Sequence, residues 1–354
     1  MDFPKIISLP VGTITRKGQV PDFTRESEDG EISCFVNPKE ELVFQFSSDY
    51  IWKKTIQVIG SVSGDVINYV IPLEIDYEAE KMRSDFADIR FTLDDGTILS
   101  YNLLNVQQDK AVFEVKIPFI HMNSQVNVNI YVGKPEATVT TSDPHNTYLF
   151  YDDASGDTSK WGIWSLSGVY TLDIVNEEFK LTTGYRDRVG AIFGSDIPLG
   201  TGLKINATIK ANSGTKCLAL SLGNYGANDV IYGNASNSPC ASYSYTNGYG
   251  RHGVHIDNTV TGNTYPLPNT YYPIELIVTP TYLKSTFNGE TLTQTKSPAW
   301  GPTQTFNYQF QDDDDYSNND GIIFDNVTIR PFIDPEPICG TATGWTKVSS
   351  SEYP

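Results

Sequence analysis

Between Val126 and Val132 the chain alternates strictly: Val126, Val128, Ile130 and Val132 are apolar, and Asn127, Asn129 and Tyr131 stand between them. A period of two puts successive side chains on opposite faces, so this pattern predicts a strand with one buried and one polar face. Ala111, Phe113, Val115 and Ile117 repeat it against Glu114 and Lys116. Leu203, Ile205, Ala207, Ile209 and Ala211 repeat it against Lys204, Asn206, Thr208 and Lys210. Further strands are predicted over 271–279 and 282–287, with Asn288-Gly-Glu290 turning the chain between neighbours. Asp94-Asp-Gly96 is a hairpin turn between the apolar runs 89–93 and 98–103. One stretch breaks the pattern: Tyr77–Ala87 carries Glu78, Ala79, Glu80, Lys81 and Met82, good helix formers, and is predicted helical.

Near the end, Gly321–Pro331 reads as a strand with Ile323, Asp325, Val327 and Ile329 on one face. That places the carboxylate of Asp325 in an apolar row, where an unpaired charge is too costly to keep. Hydrogen-bond donors or a metal ion must then satisfy it.

The fold class these patterns predict is all-β, as two antiparallel β-sandwiches in tandem. The first spans 49–136 and the second 147–335, with a short polar linker over 137–146. Residues 1–48 form an N-terminal arm broken by Pro4, Pro10, Pro21 and Pro38. Its Ile6, Ile7, Leu9, Phe23, Phe35 and Phe44 are many apolar groups for a solvated tail, so a segment that docks to other subunits of a particle is the reading, with a flexible arm as the alternative. Residues 336–354, rich in Ser, Thr and Gly, are read as a peripheral C-terminal tail.

The 28 Gly, 20 Pro and 21 Tyr fit many short strands joined by tight turns. A net charge of −18 argues against nucleic acid as a partner, since phosphates demand Lys and Arg. The first residues lack the basic-then-apolar order of a signal peptide, and no apolar run approaches the ~20 residues of a membrane span, so no membrane insertion is expected. Four cysteines are too few for a disulfide scaffold; Cys217 and Cys240 are read as free thiols, with pairing left open.

In order, Ile51-Trp-Lys-Lys-Thr-Ile56, Asp88-Ile-Arg-Phe91 with Asp94-Asp-Gly96, Val115-Lys-Ile-Pro118 and Ile130-Tyr-Val-Gly-Lys-Pro135 resemble a domain of unknown function found in archaeal cell-surface and archaeal viral proteins. That family usually has two aromatics before Gly-Asn where this chain has Tyr131-Val-Gly-Lys. Phe150-Tyr-Asp-Asp-Ala-Ser-Gly-Asp157, Trp161, Trp164 and the closing Phe324–Arg330 resemble the concanavalin A-like lectin/glucanase jelly roll. That resemblance implies that first and last strands lie side by side. It also implies a structural calcium at Asp325, completed by Asp152, Asp153 and the region of Gly156; the alternative is Asp325 hydrogen-bonded to backbone amides. Calcium takes several hard oxygen ligands, which such a set would supply.

Other candidates are weighed on residue type and spacing. Gln311–Asp320 holds five carboxylates but not the ligand spacing of an EF-hand, and is read as a solvated loop. Glu74-Ile-Asp-Tyr-Glu78 matches the alternating carboxylates of laminarinase-type glucanases, but lies in the wrong sandwich and runs into the helix-like stretch, so coincidence is favoured. In Gly223–Tyr272, tyrosines sit among Asn, Ser and Gly, the composition of adaptable recognition loops. A carbohydrate site built from Tyr225, Tyr243, Tyr245, Tyr249 and His252 is the reading, against tyrosines that merely decorate half-exposed strands.

The expectation is therefore a non-enzymatic structural or adhesion protein, a homo-oligomer contacting cell-surface polysaccharide or glycoprotein. Surface modules without a signal sequence fit a virion component of an archaeal virus: tail fibre, baseplate or capsid decoration. A secreted or surface-layer adhesin and a glycan hydrolase using Glu74 and Glu78 are the alternatives.

Overall fold

The computed structural model describes residues 50–134, 136–137, 140–165, 170–183, 188–193, 202–211, 217–223, 240–244, 252–255, 259–262, 267, 269–295, 307–313 and 322–348. The arm expected over 1–48 lies outside them. Six strands come first: β1 (Trp52–Ile59), β2 (Val66–Asp76), β3 (Arg90–Thr92), β4 (Tyr101–Val106), β5 (Lys110–Ile120) and β6 (Gln125–Val132). A single helical turn, α1 (Pro144–Thr147), follows, capped by the Asp143 side chain on the Asn146 amide at 3.0 Å.

The second group opens with β7 (Phe150–Asp152), β8 (Gly162–Ser165), β9 (Tyr170–Val175), β10 (Glu178–Thr183) and β11 (Arg188–Phe193). It continues through β12 (Leu203–Ala211), β13 (Cys217–Gly223), β14 (Cys240–Ser244), β15 (His252–His255) and β16 (Thr259–Thr261). Then come β17 (Tyr271–Val278), β18 (Tyr282–Phe287), β19 (Glu290–Thr295), β20 (Asn307–Asp313) and β21 (Ile322–Pro331). Two short strands end the described chain, β22 (Ile338–Ala342) and β23 (Thr346–Lys347). No helix among the described residues is long and apolar enough to cross a membrane.

The first sandwich packs the sheet β22-β1-β6-β3, with β23 also beside β1, against the sheet β2-β5-β4. Alternation fills its interior: Tyr69, Ile71, Leu73 and Ile75 of β2 meet Phe113, Val115 and Ile117 of β5, all buried. Phe91, Tyr101 and Phe113 pack edge to face with centroids 5.2 to 5.7 Å apart. The Asp94-Asp-Gly96 turn forms as expected, with Gly96 at φ +84. It sends β3 and β4 into opposite sheets, so it is a corner as well as a hairpin.

Two expectations fail here. The stretch Tyr77–Ala87 is not a helix but successive turns, with Lys81 and Met82 amides bonded to the Glu78 carbonyl and the Phe86 amide to that of Arg83. Burial overrides propensity: Met82 and Phe86 both enter the core, and Phe86 takes φ +52 to do so. The second failure is the C-terminal tail. Rather than a peripheral arm, β22 pairs antiparallel with β1 (Ile59 with Ile338, Ile56 with Ala342), and β23 pairs Lys347 with Trp52. The first sandwich is thus completed by chain that follows the second.

The second sandwich faces the sheet β19-β18-β17-β12-β21-β10-β9 with the sheet β16-β15-β14-β13-β20-β11-β8. Its first strand, β7, lies beside its last, β21, with Asp152 opposite Val327 and Phe150 opposite Ile329. The core includes Ile205, Ile209, Ile274, Leu276, Leu283, Phe287, Phe179 and Phe324. Trp161 stands at its centre, 5.2 to 5.5 Å from Phe150, Phe179 and Phe324.

Both chain crossings between the sandwiches are tied down. On the outgoing side, Tyr148 donates to Glu114 of β5 and accepts from Asn102 of β4 at 3.0 Å. On the return, Arg330 is 4% exposed, and its guanidinium lies 5.6 Å from the ring centroid of Tyr69 on β2. It donates to the Tyr69 hydroxyl at 3.3 Å and to both Glu336 oxygens at 2.9 and 3.3 Å, while Tyr69 itself donates to Glu336. Burial works against the Arg330 charge, but Glu336 and Tyr69 outweigh it and hold the guanidinium above its usual range. Ile333, just beyond, is buried in the core of the first sandwich.

Removing one partner of a buried charge pair leaves the other uncompensated. Arg330→Ala is expected to lower the unfolding free energy by about 3 kcal/mol, measured by urea denaturation. An unchanged midpoint would show that the joint carries no stability.

Candidate carbohydrate-binding surface

Strand β21 does not keep a single alternation. Its pairing with β12 shifts between Asn206 and Thr208, where Thr328 lies opposite Asn206 but Asp325 lies opposite Thr208. Asn326 sits in this bulge at φ +52, a conformation Asn tolerates better than most residues. The extra residue reverses the parity of what precedes it. Phe324, Val327 and Ile329 are therefore buried, while Asp325 joins Ile323 and Thr328 on the half-exposed outer face. The expectation that Asp325 occupies the apolar row is overturned.

The same shift separates the expected calcium ligands. Asp152 is 2% exposed on the core side, where it accepts from Trp161 Nε1 at 2.9 Å and lies 3.6 Å from Lys160 Nζ. Burial pushes its carboxyl up, and Lys160 and Trp161 offset part of that. Asp153 accepts from the Tyr151 hydroxyl at 3.0 Å and from Ser155 Oγ at 2.6 Å. Asp325 accepts from Asn326 Nδ2 at 2.5 Å. These three carboxylates accept from different donors, with Asp152 turned to the core and Asp325 to the outer face. Among the described residues no group of three or more His, Cys, Asp or Glu is placed to hold a metal.

On the outer face of the eight-stranded sheet, Asp325 belongs instead to a polar patch. Tyr271 of β17 donates to Glu178 of β10 at 2.9 Å, crossing above β12 and β21. Lys210 Nζ of β12 lies 4.6 Å from the Tyr271 ring centroid and 3.4 Å from its hydroxyl. Asp325 Oδ1 is buried and has no hydrogen-bond partner among the described residues. Burial pushes its carboxyl up to about 6; the Asn326 amide pulls it back, and Asp153, Glu178 and Asp152 push it further. The Asp325-Asn326 pair was the available signal, because a left-handed-tolerant residue inside a strand pattern marks a bulge.

The opposite, seven-stranded sheet carries two of the expected carbohydrate-binding residues. Tyr243 on β14 is the register partner of His252 on β15, so the fold brings them side by side. Tyr225, Tyr245 and Tyr249 lie outside the described residues. The register also decides the thiols: Cys217 is opposite Ser244 and Cys240 opposite Ser221, four residues apart along the ladder. At ~3.4 Å per residue that exceeds the ~7 Å limit between bridged Cα atoms, so Cys217 and Cys240 do not pair.

The glucanase-like triplet is not assembled. Glu74 is on β2 and bonds Lys110 Nζ at 2.9 Å, whereas Glu78 lies beyond the strand's end at Asp76. Lys81, at 2.5 Å, holds the Glu78 carboxyl below the usual range, opposite to what a general acid requires.

Residues 85–165 match a family described as a domain of unknown function, DUF2341, which covers β3 through β8. No curated protein matches the chain. Among solved structures, the chain is similar to the metal-free carbohydrate recognition domain of Emp46p, with 13% identity over 50% of this chain and 91% of that one, at a TM-score of 0.38. It is similar to carbohydrate binding module CBM66 from Bacillus subtilis, with 12% identity over 49% and 98%, at a TM-score of 0.31. A structure described with endo-acting O-glycanases of human gut microbiota shares 14% identity over 52% and 98%, at a TM-score of 0.40.

Because the folded-state value of Asp325 lies above its ordinary 3.8, the fold holds this proton more tightly than the unfolded chain. The associated stability is present below pH 3.8 and is lost as pH rises through about 6. Asp325→Asn removes the ionisation and is expected to stabilise the protein at pH 8 by on the order of 1 kcal/mol after solvent screening, with little difference at pH 4. Paired thermal melts at the two pH values check this, and an equal effect at both would contradict it.

Proposed function

We propose that the chain is a non-enzymatic adhesion protein whose second sandwich binds carbohydrate. The observation that carries this reading is the adjacency of Tyr243 and His252 on neighbouring strands of the seven-stranded sheet. A phenol ring offers a flat apolar surface to the C–H face of a sugar, and an imidazole offers hydrogen bonds to its hydroxyls. The intervening segment 245–251 adds Tyr245 and Tyr249 to the same connection.

Hydrolysis is the weaker reading, because Glu74 and Glu78 are bound to lysines and do not share a strand. For biological setting we favour a virion component of an archaeal virus, with residues 1–48 docking to other subunits and the second sandwich reaching host glycan. This rests on the sequence resemblance of residues 51–135 to archaeal surface and viral domains, and a surface-layer adhesin shares that support.

A glycan array probed with the whole chain tests the binding. Wild type is expected to retain polysaccharide or glycoprotein glycans, and Tyr243→Ala to weaken the best of them roughly tenfold, as loss of a central aromatic contact does. No binding across the array, or an unaffected Tyr243→Ala, would overturn the assignment.

A further inference from the structure

A different surface, on the first sandwich, gathers positive charge in a protein with 25 basic and 43 acidic residues. At the end where β1 begins, Trp52 and Lys54 lie on one face of the strand, and β23 brings Lys347 opposite Trp52. Lys347 Nζ is 5.5 Å and Lys81 Nζ 5.3 Å from the Trp52 ring centroid, and Lys54 Nζ is 5.5 Å from that of Trp345. Gly133, at φ +87, allows this closeness: a Cβ there would lie 3.1 Å from Trp52 Cδ1 and 3.0 Å from the Lys81 carbonyl.

Three ammonium groups gather here: Glu78 pairs with Lys81 and also interacts with Lys54 and the Trp345 side chain, and the buried Asp88 carboxylate is taken up by the Gly133 amide at 2.8 Å. Lys54 and Lys347 form no ion pair among the described residues. Lys347 is exposed, and both indoles are half-buried, with their remaining surface at the rim of the sandwich.

We propose that this corner binds an acidic polysaccharide. One sugar unit can rest its C–H face on an indole while its carboxylate or sulfate reaches the neighbouring ammonium groups. A polymer repeats both features along its length. Charge complementarity beside a flat ring surface fits an acidic sugar unit better than an acidic peptide side chain, which offers no ring-sized apolar face. The proposal is independent of carbohydrate binding by the second sandwich, since no residue is shared.

Affinity electrophoresis of the whole chain through gels containing polygalacturonate tests it, with neutral dextran and poly-glutamate as controls. Retardation by polygalacturonate but not by dextran is expected, weakening in 0.5 M salt as screening predicts. K54Q/K347Q is expected to lose roughly tenfold in affinity with an unchanged melting temperature. Should that pair fail to fold, Lys347→Glu, at an exposed position, is expected to abolish the retardation alone. No retardation of wild type, retardation as strong by poly-glutamate, or full retardation of Lys347→Glu would each overturn the proposal.

Discussion

A guanidinium that is almost wholly buried needs its partners in place, and the group formed by Arg330 with its two partners draws on three parts of the chain. Tyr69 belongs to the first sandwich, Arg330 to the last strand of the second, and Glu336 to the segment that returns from one to the other. Glu336 supplies the opposite charge, and Tyr69 adds a hydroxyl acceptor and a ring face that only the first sandwich provides. The contact therefore couples the two sandwiches, and it does so at the point where the chain goes back to add β22 and β23 to β1. What looks in sequence like two modules in tandem is one sandwich interrupted by another.

Much of the strand structure was legible. Alternation over 111–117, 126–132, 203–211 and 282–287 predicts strands that the structure contains, and Asn288-Gly-Glu290 makes the turn it suggests. These are local signals, in which the period of two and the turn residues act over a few positions. Three features were not local. Tyr77–Ala87 has helical composition, but Met82 and Phe86 are drawn into a core built from distant strands. Residues 338–347 are short and polar, and their strand character comes from the open edge of β1 nearly 300 residues away. Asp325 was misplaced because alternation was extended through a bulge.

That single inserted residue reorganises the reading of the site. With Asp325 outside, the seam between β7 and β21 shows apolar packing and the Asp152–Trp161 bond on its inner side. The polar outer face gains a carboxyl with a raised affinity for protons. Of the residues proposed to bind carbohydrate, composition pointed to the segment, and only the strand register showed that Tyr243 and His252 are neighbours. A tyrosine-rich stretch says that rings are available; the register that pairs Tyr243 with His252 says which two positions are adjacent.

The first sandwich is incomplete until the chain has passed through the second and returned. Calorimetry of a chain ended after Pro337, compared with the whole chain, tests it most directly. Without β22 and β23, strand β1 becomes an open edge, and the Arg330 joint loses the segment that anchors Glu336. The shortened chain is expected to lose, or to show at a much lower temperature, the transition belonging to the first sandwich. Two unshifted transitions in the shortened chain would contradict it.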